Sequence, residues 1–192
     1  MLRAVSLRGA IPERSHDDAL VVAAQADPAA FGAVYDRYLP RIYRYLAAKA
    51  ASPEEAADLS QAVFLKAFDG LRGYRPGKAP FASWLFRIAR NVAVDAHRRK
   101  RAVVALTTIQ DVHPDRATSP EDAVLRTERL AELRAALAAI EPEKRDLLAL
   151  RYAGGLTATE IAPLVGKSPE AVKKQLQRTL HELKEHYRDH DG

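Results

Sequence analysis

The chain has 192 residues, 30 Lys and Arg against 25 Asp and Glu, and a formal net charge of +5. That length holds one ordinary domain or two small ones, and a hydrophobic share of 47% is too high for a wholly disordered chain. The absence of cysteine excludes disulfides, thiolate zinc sites and cysteine nucleophiles, no apolar run reaches the roughly 18 residues of a membrane span, and none of the nine glycines forms a phosphate-cradling pattern. Met1 to Ile11 has arginines but no apolar core, so no secretory signal is expected. These exclusions point to a soluble, cytoplasmic protein whose basic excess matters only if it is concentrated somewhere.

Residues 1–16 have no helical spacing and read as a flexible tail. From there the apolar residues recur at steps of three and four, the one-sided stripe of amphipathic helices. Phe31, Val34, Tyr35, Tyr38, Ile42 and Leu46 make one such stripe, Phe81, Trp84, Leu85, Ile88 and Val92 another. Residues 102–119 mix Thr, Asp, Pro and Ser with short apolar pieces and read as a linker. Beyond it Leu130, Leu133, Leu137 and Ile140, then Val172, Leu176, Leu180, Leu183 and Tyr187, repeat the helical spacing. Asp27-Pro28, Ser52-Pro53, Ser119-Pro120 and Ser168-Pro169 each place a capping side chain before a proline preset for the first helical turn, and Glu141-Pro142 is a weaker form. Ser52 with Glu55 and Thr157 with Glu160 have the spacing of capping boxes. The expectation is an all-α protein of two small helical bundles, 17–101 and 120–192, joined by a flexible linker and free to move relative to one another.

Within the first bundle, residues 54–68 (EEAADLSQAVFLKAF) carry more apolar side chains than one helix face needs. Asp58, Gln61, Phe64 and Leu65 are candidates for a protein-docking surface, and a plain core helix accounts for the same residues equally well. Residues 72–101 follow, with nine basic side chains (Arg72, Arg75, Lys78, Arg87, Arg90, Arg98, Arg99, Lys100 and Arg101) against one acid, Asp95, a local charge of +8. Tyr74, Phe81, Trp84 and Phe86 are interleaved with them. Cations neutralise phosphates while aromatic faces stack on unpaired bases, so this mixture suits melted or single-stranded nucleic acid. A core stripe with a solvated basic helix end is the plainer account, and both are compatible on one helix. Loop 69–80 (DGLRGYRPGKAP), with three glycines and two prolines, is the flexible element placed to accept a flipped base.

In the second bundle, residues 156–180 (LTATEIAPLVGKSPEAVKKQLQRTL) have the spacing of a helix-turn-helix. Ala162 permits close helix approach, Gly166 the sharp turn, and Val172 and Leu176 anchor the second helix. On that helix Ser168, Glu170, Ala171, Lys173, Lys174, Gln175 and Arg178 are candidates for DNA contact: the cations for phosphate or guanine, Gln175 for adenine. An ordinary helical hairpin with a solvated face shares this pattern. Pro163 is awkward inside the first helix and is expected near its first turn. His186, Asp189 and His190 have no further ligand nearby in sequence, so no metal site and no cofactor are expected.

Together these stretches resemble the extracytoplasmic-function (ECF) sigma factors of bacterial RNA polymerase. The resemblance rests on FASWLFRIARNVAVDAHRRKR (81–101), EEAADLSQAVFLKAF (54–68), FGAVYDRYLPRIYRYL (31–46) and LTATEIAPLVGKSPEAVKKQLQR (156–178), in that family's order. It implies a non-enzymatic promoter-specificity subunit whose partners are core RNA polymerase, promoter DNA and an anti-sigma factor. Residues 17–101 would be region 2 and 120–192 region 4. Asp58, Gln61 and Phe64, with the neighbouring Leu65, would dock on the polymerase clamp helices. Arg72, Tyr74, Arg75, Lys78, Trp84, Arg87, Arg90, Asn91, Arg98 and Arg99 would recognise and melt the −10 element. Ser168, Glu170, Lys173, Lys174, Gln175 and Arg178 would read the −35 element, and the linker 102–119 would follow the RNA-exit path. Pro163, Ala171 and the Lys174-Gln175 pair depart from the family pattern and leave the −35 preference open. A stand-alone helix-turn-helix regulator is the alternative; it has no need of a +8 aromatic segment.

Overall fold

The computed structural model describes residues 13–104, 132–133 and 135–188. Every element among them is helical, as the apolar spacing predicts, and no strand occurs among the described residues. Four helices form the first half: α1 (Glu13–Ala26), α2 (Phe31–Ala47), α3 (Pro53–Gly70) and α4 (Phe81–Val104). The second half has α5 (Pro142–Leu148), which widens into a π turn over Ala149–Ala153, then α6 (Ala158–Val165) and α7 (Pro169–Arg188). Two boundaries differ from expectation. Residues 13–16 belong to α1, not to a tail, and 102–104 continue α4. The rest of the linker 102–119, and the Ser119-Pro120 start, lie outside the described residues.

The caps follow the sequence closely, because a cap depends only on residues three or four apart. Ser52 accepts from the Glu55 amide, and Glu55 in turn accepts from the Ala51 amide. Thr157 and Glu160 complete a reciprocal capping box. Ser168 accepts from the Ala171 amide, and Asp27 from the Ala29 amide. Glu141 makes no side-chain cap bond. Pro163 lies beyond the first turn of α6, contrary to expectation, and is tolerated on an exposed face of a short helix.

In the first half, α2 and α3 pack on α4. Val34, Tyr38, Ile42, Tyr45 and Leu46 of α2 meet Val63 and Ala67 of α3 and Phe81, Leu85, Phe86 and Ala89 of α4, all buried. Asp17 of α1 accepts from Tyr38 Oη and Arg37 Nε at 2.6 Å each, tying α1 to α2. Burial and the neighbouring Asp17 carboxylate push the Tyr38 phenol far up, so it is always a donor. In the second half Ile161 and Ala162 of α6 cover Val172 and Leu176 of α7. Gly166 closes α6 with φ 66° and ψ 32°, the left-handed conformation that glycine adopts without strain, and Lys167 N–H bonds back to the Ala162 carbonyl. This is the expected helix-turn-helix.

The halves do not sit apart. Their buried side chains form one continuous cluster, with α6 lying on α4 and the Ala149–Ala153 turn on α2. The closest approach is at Gly154, where an added Cβ would stand 2.6 Å from Phe86 Cε1 and 2.9 Å from both the Leu150 carbonyl and Leu156 Cδ1. Phe86 belongs to the first half and cannot retreat, being fully buried itself. Gly154→Ala is therefore expected to lower unfolding stability by about 1–3 kcal/mol, the range for overpacking. Urea denaturation checks this, and an unchanged midpoint would contradict the close approach.

Candidate polymerase and nucleic-acid interfaces

Three surfaces carry the residues singled out in the sequence. The first is the outer face of α3. Asp58, Gln61 and Leu65 are exposed there, Leu65 to 68% of its free surface. Phe64 is buried: its ring lies 4.6 Å from Tyr35 and 6.4 Å from Phe31. It supports this face from beneath and cannot itself touch a partner without rearrangement. Phe68, which the sequence reading passed over, is 45% exposed and packs edge-on against Phe31 at 5.1 Å. It continues the stripe 58, 61, 65 at helical spacing, which was the available signal.

The second surface joins loop 69–80 to the start of α4. Tyr74, Phe81 and Trp84 form a ring cluster with centroids 5.3–5.4 Å apart. Tyr74 is buried, and its hydroxyl donates to the Ala79 carbonyl at 2.8 Å. The Gln25 side chain of α1 donates to both the Leu71 and Tyr74 carbonyls at 2.8 Å. The loop expected to be flexible is thus pinned at three backbone carbonyls. Trp84 remains partly exposed, and Arg72, Arg75 and Lys78 of the loop are exposed.

Further along α4 the predicted cations divide. Asn91, Arg98 and Arg99 are exposed. Arg87, also exposed, and the half-buried Arg90 reach to the second half. Arg87 Nη2 donates to the Pro163 carbonyl at 3.4 Å. Arg90 donates through Nη1 to the Leu164 carbonyl at 2.7 Å and through Nε to Asp146 at 2.8 Å. Asp146 also accepts from Tyr45 Oη at 2.8 Å and pairs with Lys49 Nζ at 2.8 Å. Arg41 Nε donates to the Gly154 carbonyl at 2.9 Å, and Ser83 Oγ to the Glu160 carbonyl at 2.7 Å. Tyr45 and Asp146 are 101 residues apart, and no local pattern announces the pair.

The third surface is the outer face of α7. Ser168, Glu170, Lys173, Lys174 and Arg178 are exposed, while Val172 and Leu176 are buried beneath them. Gln175 is half-buried, and its amide oxygen accepts from Lys167 Nζ. The described residues hold no cluster of three or more His, Asp or Glu able to bind a metal, and no helix among them is long and apolar enough to cross a membrane.

The Sigma-70 region 2 profile matches residues 34–103 and the Sigma-70 region 4 profile residues 130–183. The sigma factor CarQ of Myxococcus xanthus is 33% identical over 156 residues, covering 81% of this chain and 88% of that protein. The chain belongs to the ECF family of RNA polymerase sigma factors. Other relatives agree. ECF sigma factor SigD of Mycobacterium tuberculosis is 33% identical over 88% of this chain and 82% of its own. ECF sigma factor BldN of Streptomyces coelicolor is 32% identical over 85% of this chain, which spans 63% of that longer relative. Two solved structures share the fold of this sigma factor. CnrH, solved with the cytosolic domain of CnrY, has a TM-score of 0.67 at 23% identity, covering 92% of this chain and 99% of that one. RpoE of Bartonella quintana, solved with the anti-sigma factor NepR, has a TM-score of 0.60 at 22% identity, covering 82% and 96%. The alternative of a stand-alone regulator finds no support in these likenesses.

The electrostatics of Asp146 give a testable consequence for this sigma factor. Burial raises its pKa, but Lys49, the Tyr45 hydroxyl and Arg90 outweigh burial and hold the carboxyl below its ordinary value. A carboxyl lowered in the folded state stabilises that state above its unfolded pKa, and the contribution is lost as pH falls through the folded one. Wild type should therefore unfold at a higher temperature than Asp146→Asn at neutral pH. The gap should close only on acidification below the ordinary carboxylate range. Thermal melts of both proteins across pH check this, and a gap independent of pH would contradict it.

Proposed function

We propose that this chain directs core RNA polymerase to promoters by binding the enzyme through α3 and the two promoter elements through α4 and α7. The observation that carries the reading is the pairing, in one chain of this family, of an aromatic-cationic face on region 2 with an outward cationic helix on region 4. Asp58, Gln61, Leu65 and Phe68 present the polymerase-docking stripe. The partly exposed Trp84, backed by Tyr74, supplies a stacking platform for a base leaving the −10 duplex, and the exposed Arg72, Arg75 and Lys78 of the preceding loop supply cations for its phosphates. Arg87, Arg90, Asn91, Arg98 and Arg99 extend that face along α4 for phosphate contact. Lys173, Lys174 and Arg178, with Ser168, Glu170 and Gln175, address the −35 duplex as a recognition helix does.

The chain contributes binding and melting, and catalysis stays with the polymerase, so it is not itself an enzyme and works in the cytoplasm where the polymerase is. An anti-sigma factor controls it; the partner named for Bartonella quintana RpoE supports this. The test is transcription from a promoter library by core polymerase with and without this chain, alongside co-purification of the two. Failure to bind core polymerase would overturn the reading.

Two substitution series separate the roles. Trp84→Ala removes a stacking face that is worth about 1–3 kcal/mol per base. It is expected to lower heparin-resistant open complexes at least several-fold with core affinity kept, whereas Leu65→Ala with Phe68→Ala lowers core affinity first. Equal loss of core affinity in both would contradict this division. Lys173→Ala with Arg178→Ala removes two phosphate partners and should reduce the slope of log affinity against log salt by about 2 on a −35 duplex. An unchanged slope would remove these residues from the phosphate contacts.

A further inference from the structure

Gln25 of α1 lies outside residues 34–103, which the region 2 profile matches, yet it holds the loop that region 2 presents beside Trp84. Its side-chain amide donates to the Leu71 and Tyr74 carbonyls at 2.8 Å each, across 46 and 49 residues of chain. A carboxamide nitrogen has two N–H groups, one for each carbonyl. The two carbonyls bracket the turn Leu71–Gly73, with which loop 69–80 leaves α3. Gln25 itself has a firm base: Val21 and Ala24 beside it are buried, and Asp17 near the start of α1 accepts from Tyr38 and Arg37 of α2.

From Tyr74 the constraint passes to the tryptophan. The buried Tyr74 ring lies 5.4 Å from Trp84 and 5.3 Å from Phe81, and its hydroxyl closes the loop on the Ala79 carbonyl. On another side the indole meets the end of α3, where a Cβ added at Gly70 would stand 3.4 Å from Trp84 Cζ2. We infer that Gln25 is a positioning residue for promoter melting: by fixing the Leu71 and Tyr74 carbonyls it holds the Trp84 indole, through Tyr74, in place for a base leaving the duplex. Gln25 is uncharged and half-buried, so it acts through the loop and not on a phosphate. A loop with three glycines and two prolines loses much conformational entropy when it is ordered. Gln25 places that loss in folding, before DNA arrives, so the stacking face is preorganised.

This inference rests on the proposed reading of Trp84 as a stacking platform, and the test separates the two. Trp84 is the single tryptophan, so the fluorescence of the free chain reports the platform directly. Gln25→Met keeps the side-chain length and loses both donors, whereas Gln25→Lys keeps length and donors; circular dichroism checks the helicity of each. Acrylamide should quench Trp84 at least about 1.5-fold more steeply in Gln25→Met than in wild type or Gln25→Lys. Holoenzyme is then assembled from core polymerase and each protein, on a promoter recovered from the transcription library. Gln25→Met should slow conversion of closed into heparin-resistant open complexes at least about threefold, with core affinity and initial promoter binding kept, and Gln25→Lys should restore the rate. Unchanged quenching overturns the hold on the loop. An equal fall in core affinity or initial binding overturns the positioning role, because it reports loss of folded chain. Steeper quenching with an unchanged opening rate overturns that role alone when Trp84→Ala slows opening. If Trp84→Ala opens promoters normally, the platform reading fails, and the role of Gln25 with it.

Discussion

A carboxylate taken out of water sets the arrangement of this molecule. Removing an ion from water costs several kcal/mol even after relaxation, and the cost is offset only where geometry supplies close, well-aligned partners. Asp146 has three: a phenol whose ionisation is pushed up by burial and by Asp146 itself, an ammonium and a guanidinium. All three come from α2, the residues just after it, and α4. The second half thus finds its seat where the one buried carboxylate among its described residues is solvated by side chains of the first half. Among the described residues no buried side-chain polar atom lacks a partner.

That seat divides α4 into stretches with different duties. Phe81, Leu85, Phe86, Ala89 and Val92 are buried and hold the helix in the core. Ser83, Arg87 and Arg90 meet α5 and α6 of the other half. Arg98 and Arg99 stay in solvent. A helix that is one run of cations in sequence becomes, in three dimensions, partly a joint and partly an open face. α7 is simpler: its apolar stripe faces α6, and Lys173, Lys174 and Arg178 face out. The exposed cations of α7 thus lie outside the joint, whereas Arg87 and Arg90 of α4 take part in it.

The net charge of +5 has the same structure. The segment 72–101 carries +8, which leaves −3 for the rest of the chain. An overall acidic body with one cationic strip favours attraction between its own parts as well as toward polyanions. The acidic member of that attraction, Asp146, lies in the second half and the basic members in the first. The contact between the halves therefore draws, through Arg90, on the same cationic strip.

Much of this was legible in the sequence, and the reason is range. Helices follow from apolar spacing, and their starts at Ser52, Thr157 and Ser168 follow from caps that satisfy amides three residues away. The turn at Gly166 needed a left-handed residue, and the sequence supplied glycine there. Motif order was enough to indicate the family. Orientation on a helix was harder: Phe64 and Phe68 share α3, yet packing on Phe31 and Tyr35 buries the first and leaves the second partly open. Local spacing alone determined elements, caps, the helix-turn-helix and the clustering of charge. Only the tertiary structure decided that Tyr45, Lys49 and Arg90 converge on Asp146, because a buried charge selects its partners by proximity in space, across a separation along the chain that periodicity does not encode.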